Sequence, residues 1–240
     1  MNSPSLRSAI ISGASSGIGK AVAENLAGAG YSLGLNGRTK SKLEDSFPFG
    51  ETNSTVFTVG DIADYAVARE LVDATVKAFG GINTVVVNAG IGFFGPFVDT
   101  PLALMEEIVQ TNTIGSINLA RAAIPELVKN KVSNLVFISS TAGLRGGANE
   151  AVYAATKHSQ IGLAGSLDRE FRSQGLRVCV VAPGSTQTDF AGGSRRGSSK
   201  TVPGEFLNPQ VVAESVLFAL SLPDNARIQQ INILPMSQQT

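Results

Sequence analysis

The feature that most constrains this chain is a regular alternation between short apolar runs and longer segments with helical periodicity. Seven runs rich in valine, isoleucine and leucine are each bounded by glycine, asparagine, serine or proline, at residues 9–11, 33–35, 55–59, 84–87, 135–138, 178–181 and 231–234. Runs of this length and composition predict buried strands. The segments between them place apolar residues three or four positions apart, as at Ile18, Val22 and Leu26, which predicts amphipathic helices.

Strands that alternate with helices bury both faces of a sheet only if right-handed crossovers carry the helices to either side. The sequence therefore predicts an α/β fold with a doubly wound parallel sheet and helices on both faces. We expect a single domain over residues 1–240, because no linker rich in proline and glycine separates two cores. The one break in composition, at residues 191–203, predicts a flexible loop, and we expect a flexible substrate loop over about residues 185–207.

Composition and charge indicate which classes of binding partner to expect. Hydrophobic residues make up 43% of the chain and charged residues 16%, which is enough apolar material for a packed core. Nineteen basic residues balance nineteen acidic ones, so no overall field favours nucleic acid or an anionic membrane, and we expect a small-molecule partner. Cys179 is the single cysteine, which excludes an intramolecular disulfide and fits a cytoplasmic location. The polar residues 1–7 and the interrupted apolar patch after them predict neither a signal peptide nor a spanning helix.

A glycine-rich turn follows the first predicted strand. Residues 12–19 read Ser-Gly-Ala-Ser-Ser-Gly-Ile-Gly and lead into a predicted helix at residues 20–27. Glycines permit a tight turn and close approach of a pyrophosphate, and the helix N-terminus offers N–H donors to an anion. A turn without any ligand is the alternative, and the spacing Gly-x3-Gly-x-Gly departs from the common G-x-G-x-x-G pattern.

That spacing resembles the glycine pattern of the short-chain dehydrogenase/reductase family, and further stretches resemble the same family in the same order. They are Asp61-Ile62, Asn88-Ala89-Gly90, Asn112, Ser140, Tyr153-x3-Lys157 and Pro183-Gly184, so the resemblance covers essentially the whole chain. It implies a Rossmann-type sheet of seven strands in the order 3-2-1-4-5-6-7.

The resemblance also implies which residues bind a nicotinamide cofactor. Besides Tyr153 and Lys157, they are Gly13, Ser15, Ser16, Gly17, Ile18 and Gly19 in the turn, Asp61 and Ile62 at the adenine, Asn88, Ala89 and Gly90 near its ribose, and Pro183, Gly184, Thr186 and Thr188 after the sixth strand. Thr186 departs from the aliphatic residue common in the family, whereas Thr188 matches the family's threonine.

Cofactor choice is expected at the end of the second strand, where an acidic residue would bind the ribose hydroxyls and repel a 2′-phosphate. This chain has no carboxylate there, and Arg38 can offer a bidentate contact to a phosphate. We therefore expect NADP(H) to be favoured over NAD(H), with Ser15 and Asn36 as helpers. The alternative is that Arg38 is a solvated loop cation.

Tyr153 and Lys157 carry the predicted chemistry. Reduction of a carbonyl needs an acid to protonate the developing alkoxide. A free tyrosine has a pKa of about 10, and a nearby ammonium makes its phenolate accessible. Lys157 lies four residues later on a predicted helix at residues 150–167, which places both side chains on one face.

Ser140 and Asn112 complete the predicted catalytic set. Ser140 follows a strand end, where its hydroxyl could orient the carbonyl, and the family's spacing to Tyr153 favours it over Ser139. Asn112 resembles the family's helix asparagine, which anchors a water chain to the lysine. A purely structural amide is the alternative for Asn112.

Substrate contacts are expected from loops at the same edge of the sheet, namely from Phe93, Phe94, Leu144, Arg145 and Phe190, with Arg195 and Arg196 as solvated arginines or anion contacts. We expect a 3-oxoacyl, hydroxy acid or similar small carbonyl substrate.

His158 is expected to be structural or subunit-facing, and no metal site or serine nucleophile is predicted. The family resemblance and two long apolar-faced helices, at residues 104–128 and 152–171, predict a homodimer or homotetramer. A nucleotide-binding regulatory protein without turnover and an isomerase or dehydratase are the alternative functions.

Overall fold

The computed structural model describes residues 7–47, 54–190 and 205–238. Its strands are β1 Ser8–Ile11, β2 Ser32–Gly37, β3 Thr55–Val59, β4 Thr84–Val87, β5 Ser133–Ile138, β6 Leu176–Pro183 and β7 Gln230–Ile233. Its α-helices are α1 Gly17–Gly28, α2 Lys40–Ser46, α3 Tyr65–Phe79, α4 Leu102–Val109, α5 Gly115–Leu127, α6 Ala151–Phe171 and α7 Pro209–Leu220. A π-helical segment, Gln110–Ile114, joins α4 to α5, and 3-10 turns lie at Phe97–Asp99, Thr141–Gly143 and Arg172–Gln174.

The seven strands form one parallel sheet in the order β3-β2-β1-β4-β5-β6-β7. This confirms the predicted doubly wound α/β fold and the strand order that the family resemblance implied. The order reverses between β1 and β4, and ligands of open α/β sheets bind at the carboxyl ends of strands beside such a switch point. The glycine turn after β1 and the segment after β4 meet at this place.

Side chains alternate between two cores, one on each face of the sheet. In β5, Leu135 and Phe137 pack with α3, α5 and α6, whereas Val136 and Ile138 pack with α1, α2 and α7. The period of two places successive residues of a strand on opposite faces. Because both faces are covered, the central strands read as continuous apolar runs rather than as alternating ones.

The structure differs from the sequence-based prediction at both edges of the sheet. We predicted buried strands throughout, but β3 is largely half-buried and β7 is half-buried to exposed. An edge strand lacks one neighbour, so its side chains keep more contact with solvent. One predicted end also shifts: α1 begins at Gly17 rather than at residue 20. Helix α6 ends at Phe171, the end of the long helix predicted at residues 152–171.

Two helical features were not predicted. The short helix α2, Lys40–Ser46, buries only Leu43, so it lacks the apolar period that would predict a helix. The segment predicted as one helix over residues 104–128 is interrupted by the π-helical turn at Gln110–Ile114. The predicted flexible loop at residues 191–203, with Arg195 and Arg196, lies outside the described residues. Among the helices in the described ranges, none is long and apolar enough to cross a membrane.

Candidate active site

The glycine turn after β1 folds tightly against the segment after β4. Gly13 and Gly17 have φ values of +64° and +53°, in the left-handed region that favours glycine. A Cβ at Gly13 would lie 2.8 Å from the Cα of Ala89, and a Cβ at Gly19 would overlap the carbonyl oxygen of Gly13. The turn therefore has no room for side chains at Gly13 and Gly19.

Ser12 and Asn88 hold this turn in place. The Asn88 side-chain amide donates to the carbonyls of Ser12 and Gly13 at 3.0 and 3.1 Å. The buried Ser12 hydroxyl accepts from the backbone N–H groups of Asn88 and Ala89 at 3.0 and 3.1 Å. These four bonds join the two strands on either side of the switch point. Asn88 was predicted near the cofactor ribose, and the structure gives its amide group a structural role at the turn.

The N-terminus of α1 is suited to a phosphate. Ser16 is the N-cap residue, yet its hydroxyl does not cap the helix, and the first turn, which the structure describes in full, contains no acidic residue. The helix dipole and the uncapped N–H groups favour an anion there. Thr188 lies over the same turn, because a Cβ at Gly17 would be 3.0 Å from the Thr188 methyl carbon. The residues present therefore fit a dinucleotide with its pyrophosphate at this end of the helix.

The segment after β6 is held by the chain just before α7 and by the last residue of β7. The Thr186 hydroxyl donates to the Gly184 carbonyl at 3.0 Å, and Thr186 pairs with Leu207 in a parallel bridge. Gly184 donates its N–H to the carbonyl of Ile233 at 2.7 Å. Pro183 is the last residue of β6, so the predicted nicotinamide-binding segment begins at the carboxyl edge of the sheet.

At the adenine end, Arg38 is 59% exposed and lies 3.4 Å from Glu107 of α4, measured between guanidinium nitrogen and carboxylate oxygen. The Asn36 amide donates to the carbonyls of Thr58 and Gly60, both at 3.1 Å, so its donors bridge β2 to the end of β3. Both donors of this amide are therefore engaged within the protein, and assistance of Arg38 by Asn36 stays a prediction. Two further predicted residues, Asp61 and Ile62, follow β3; Asp61 accepts from the Ala63 N–H at 2.9 Å, and Ile62 is buried.

Tyr153 and Lys157 lie one turn apart on the buried face of α6, as the spacing predicted. The Lys157 ammonium is 5.7 Å from the centroid of the Tyr153 ring. It donates to the Ile138 carbonyl at 2.9 Å and to the Gln160 side-chain carbonyl at 3.1 Å. Burial lowers the pKa of Lys157 from 10.5 to about 7, because a charged ammonium loses its hydration there.

The two serines after β5 point to different partners. The buried Ser139 hydroxyl donates to the Lys157 carbonyl at 3.0 Å and so ties β5 to α6. The Ser140 hydroxyl accepts from the Ala142 N–H at 3.1 Å, at the start of the 3-10 turn. Ala142 packs in one cluster with Tyr153. Ser140 is thus the serine whose turn lies against the tyrosine, whereas the Ser139 hydroxyl has a structural partner.

Asn112 lies at the centre of the π-helical segment and is fully buried. Its side-chain oxygen accepts from the Ile91 N–H at 2.8 Å, and its amide donates to the Ile91 carbonyl at 2.9 Å and the Thr156 hydroxyl at 3.0 Å. A Cβ at Gly90 would lie 3.1 Å from the Asn112 side-chain oxygen and 3.7 Å from the Lys157 nitrogen. The end of β4, the π-helical segment and α6 therefore meet at Gly90.

Aromatic rings flank Tyr153. The centroids of the Phe94 and Phe190 rings are 5.7 and 5.6 Å from that of Tyr153, within the range of tilted aromatic pairs. A Cβ at Gly92 would lie 2.5 Å from the Phe190 ring, so this glycine leaves space for it. Of the other predicted substrate residues, Phe93 is half-buried, and Leu144 and Arg145 are exposed after the 3-10 turn.

Three residues of the site were not predicted: Ser12, Glu107 and Gln160. Ser12 was part of the glycine-turn motif, but its hydroxyl joins two strands that are 76 residues apart in the chain. Gln160 lies three residues after Lys157, a spacing that could have suggested a contact on the helix. His158, by contrast, is exposed, with its Nδ1 atom 2.8 Å from the Ala154 carbonyl oxygen.

Comparisons with known proteins found a matching family model, similar sequences and similar solved structures. The family model described as short chain dehydrogenase matches residues 7–198. An oxidoreductase of Staphylococcus epidermidis is 28% identical over 228 residues, which cover 95% of this chain and 96% of the relative. An alcohol dehydrogenase from the archaeon Thermococcus sibiricus, complexed with 5-hydroxy-NADP, is similar with a TM-score of 0.87 and 26% identity over 98% of each chain. A 3-ketoacyl-(acyl-carrier-protein) reductase from Brucella melitensis, complexed with NADH, has a TM-score of 0.86 and 24% identity over 96% of this chain and 97% of its own.

Proposed function

This chain belongs to the short-chain dehydrogenase family, and on that basis we propose that it is an NADP(H)-dependent oxidoreductase that interconverts a ketone or aldehyde and the corresponding alcohol. The observation that carries the proposal is the pair of Tyr153 and Lys157, 5.7 Å apart between ring centroid and ammonium, beside Gly90 at the switch point of the sheet. A phenol next to a buried ammonium is suited to acid–base chemistry.

The bound nicotinamide would supply the hydride for reduction and accept it for oxidation. Tyr153 donates its hydroxyl proton to the carbonyl oxygen as negative charge develops there, and it takes the proton back in the reverse direction. The Lys157 ammonium stabilises the phenolate that remains. The Ser140 hydroxyl holds the same oxygen and fixes its direction.

Asn112 contributes through its neighbours in this proposal. Both donors of its amide are engaged by Ile91 and Thr156, and its backbone carbonyl accepts from Gln160 at 3.1 Å. The asparagine therefore fixes the loop after β4 against α6, and its connection to Lys157 runs through Gln160. This route differs from the water chain that the family resemblance implied, although the remaining lone pair of the Asn112 oxygen leaves that water chain feasible.

The cofactor preference is argued from Arg38, because the two similar structures were solved with different cofactors. A 2′-phosphate would be a stronger partner for the guanidinium than the exposed Glu107 carboxylate, whose pairing is worth little in water. The Arg38→Asp variant is expected to raise the KM for NADPH about tenfold or more and to change that for NADH far less. An unchanged preference would exclude NADP(H) selection by Arg38.

Glu107 offers a second test of the same preference. Its carboxylate faces the position of the proposed phosphate, so Glu107→Gln is expected to lower the KM for NADPH by about two- to fivefold at low ionic strength. Glu106 is an exposed neighbour on the same helix and points about 100° away, which makes Glu106→Gln the matched control. Equal effects of the two variants, or none, would contradict a specific role for Glu107.

The substrate is proposed to be a neutral or weakly polar carbonyl, because Phe94 and Phe190 flank Tyr153. A spectrophotometric screen of NADPH oxidation and NADP reduction would cover ketones, 3-oxoacyl thioesters, sugars, steroids and hydroxy acids. Tyr153→Phe is expected to reduce turnover of the best substrate by about a hundredfold or more. Equal turnover by wild type and Tyr153→Phe would reject the mechanism, and tight nucleotide binding without any turnover would favour a regulatory protein.

A further inference from the structure

Gln160 is a fully buried amide one turn beyond Lys157 on α6, where this helix packs against α4 and the π-helical segment. Its amide nitrogen donates to the Asn112 carbonyl at 3.1 Å and to the Ser116 hydroxyl at 2.9 Å. Its carbonyl oxygen accepts from the Lys157 ammonium at 3.1 Å. Both ends of the amide therefore have partners, and one of these partners is a proposed catalytic group.

The orientation of this amide is fixed by its partners. The Ser116 hydroxyl donates its proton to the Asn112 carbonyl at 2.6 Å, so toward Gln160 it presents a lone pair. The amide nitrogen thus faces two acceptors, whereas a flipped amide would place its N–H groups against the ammonium of Lys157. The carbonyl dipole of Gln160 must point at Lys157.

Among the residues that the structure describes, few other groups stabilise the charge of Lys157. Its surroundings come from β5 through Ile138, from the loop after β4 through Gly90, and from α6 through Tyr153 and Gln160. Tyr153 is the titratable group among them, and within the described residues burial, rather than a neighbouring charge, accounts for the low pKa of Lys157. The Ile138 acceptor is backbone, so Gln160 is the side chain that a substitution can change.

We propose that Gln160 is a positioning residue that holds the Lys157 ammonium beside Tyr153 and favours its protonated form. The proposal rests on the acid–base role assigned to Tyr153 and Lys157 above. Gln160 itself touches no reacting atom; it acts through Lys157, and its anchor is the backbone of Asn112. A buried apolar residue would pack at this point of α6 without supplying the acceptor.

The test is a pH titration of the lysine side chains in the full-length free enzyme, followed by NMR of ¹³Cε-labelled lysine. The Lys157 signal is the one that a Lys157→Met variant lacks. Gln160→Met, similar in volume but without an acceptor, is expected to lower the Lys157 midpoint by about one to two pH units. Gln160→Glu, which places a carboxylate at the same point, is expected to raise the midpoint above that of wild type.

Ser159→Ala is the matched control. Its hydroxyl lies 3.0 Å from that of Thr113, so it also links α6 to the π-helical segment but does not contact Lys157. The Lys157 midpoint of Ser159→Ala is expected to equal that of wild type.

Shifts of opposite sign in the two Gln160 variants cannot arise from general loosening of the helix. Midpoints that stay within the range of Ser159→Ala, or that both move in one direction, would overturn the proposal, even if Tyr153→Phe abolishes turnover. The two proposals fail separately. Turnover that does not depend on Tyr153 would reject the acid–base mechanism, whereas the titration alone decides whether Gln160 favours the protonated form of Lys157.

Discussion

At the scale of single residues, the site buries the side chain of Lys157, where loss of hydration disfavours its charged form. Lys157 is 3% exposed, and its ammonium donates to the Ile138 carbonyl and to the side-chain carbonyl of Gln160. Burial lowers its pKa to about 7, so both protonation states are populated in the free enzyme at neutral pH. The folded protein therefore binds this proton less tightly than the unfolded chain does, and stability becomes linked to pH.

Replacing Lys157 by methionine removes this linkage. Between pH 7 and 10.5 the unfolded wild-type chain keeps a proton that the folded chain has released, so the wild-type free energy of unfolding rises with pH across this window. The stability of Lys157→Met relative to wild type is thus greatest below pH 7 and declines by up to about 1.4 kcal/mol per pH unit between pH 7 and 10.5. Urea unfolding at pH values from about 6 to 9 measures the difference. A difference that is independent of pH would show that Lys157 is not the titrating group.

Two glycines of α1, Gly19 and Gly28, allow a test of the close packing at the glycine turn, with Gly28 as the control. A Cβ at Gly19 would overlap the Gly13 carbonyl and the Asn88 amide, whereas a Cβ at Gly28 would meet nothing within 4 Å. Gly19→Ala is expected to destabilise the protein by about 1–3 kcal/mol and to weaken NADPH binding about tenfold or more. Gly28→Ala is expected to leave binding unchanged and to add up to about 1 kcal/mol of stability. Thermal unfolding and nucleotide titration provide the measurements, and equal behaviour of both variants would contradict the close approach at Gly19.

At the scale of elements, hydrophobic pattern predicted the strands better than the irregular helices. The apolar runs identified all seven strands, because central strands of a parallel sheet are covered on both faces. The pattern could not predict α2, which buries one leucine, or the π-helical turn around Asn112. A π-helical turn adds one residue to a turn without changing composition, and such turns are frequent at functional sites.

A buried acid ties α6 to the chain before β7. Asp168 is 3% exposed and accepts from Arg227 at 2.8 and 3.2 Å and from Gln229 at 3.1 Å. Asp168→Ala would leave a partly buried guanidinium and an amide without their acceptor, so we expect a loss of about 2–4 kcal/mol. Asp73→Ala removes the exposed pair with Arg69 on α3 and is expected to cost less than about 0.5 kcal/mol. Chemical unfolding compares the two, and similar losses would show that burial of Asp168 is not decisive.

At the scale of the whole molecule, the sequence predicted which residues meet but not how they are held. Tyr153 and Lys157 share one helix, so their spacing predicted their contact, and the strand order brought Gly90 and the glycine turn to the same edge. The bonds from Ser12 to Asn88 and from Gln160 to Asn112 join residues 76 and 48 positions apart. Such contacts depend on the packing of elements, which no local pattern encodes.

The outer surface of α4 suggests how whole molecules associate. Leu102 is 76% exposed and Val109 is 40% exposed; seven residues apart, they share one face of this helix. Exposed apolar residues grouped on one face indicate an interface, so we expect the 24.9 kDa chain to form a dimer or tetramer of about 50 or 100 kDa.

Light scattering coupled to size exclusion measures the mass of this assembly. Replacing Leu102 and Val109 together by glutamate is expected to shift the mass to that of a smaller species, because two charges would be buried without partners. Ala103→Glu adds one charge to the same helix about 100° away and is expected to leave the mass unchanged. Because α4 continues through the π-helical turn that carries Asn112, loss of this interface would also loosen the support of Lys157, and turnover should fall with the mass. A monomeric wild-type protein with full activity would refute the interface on α4.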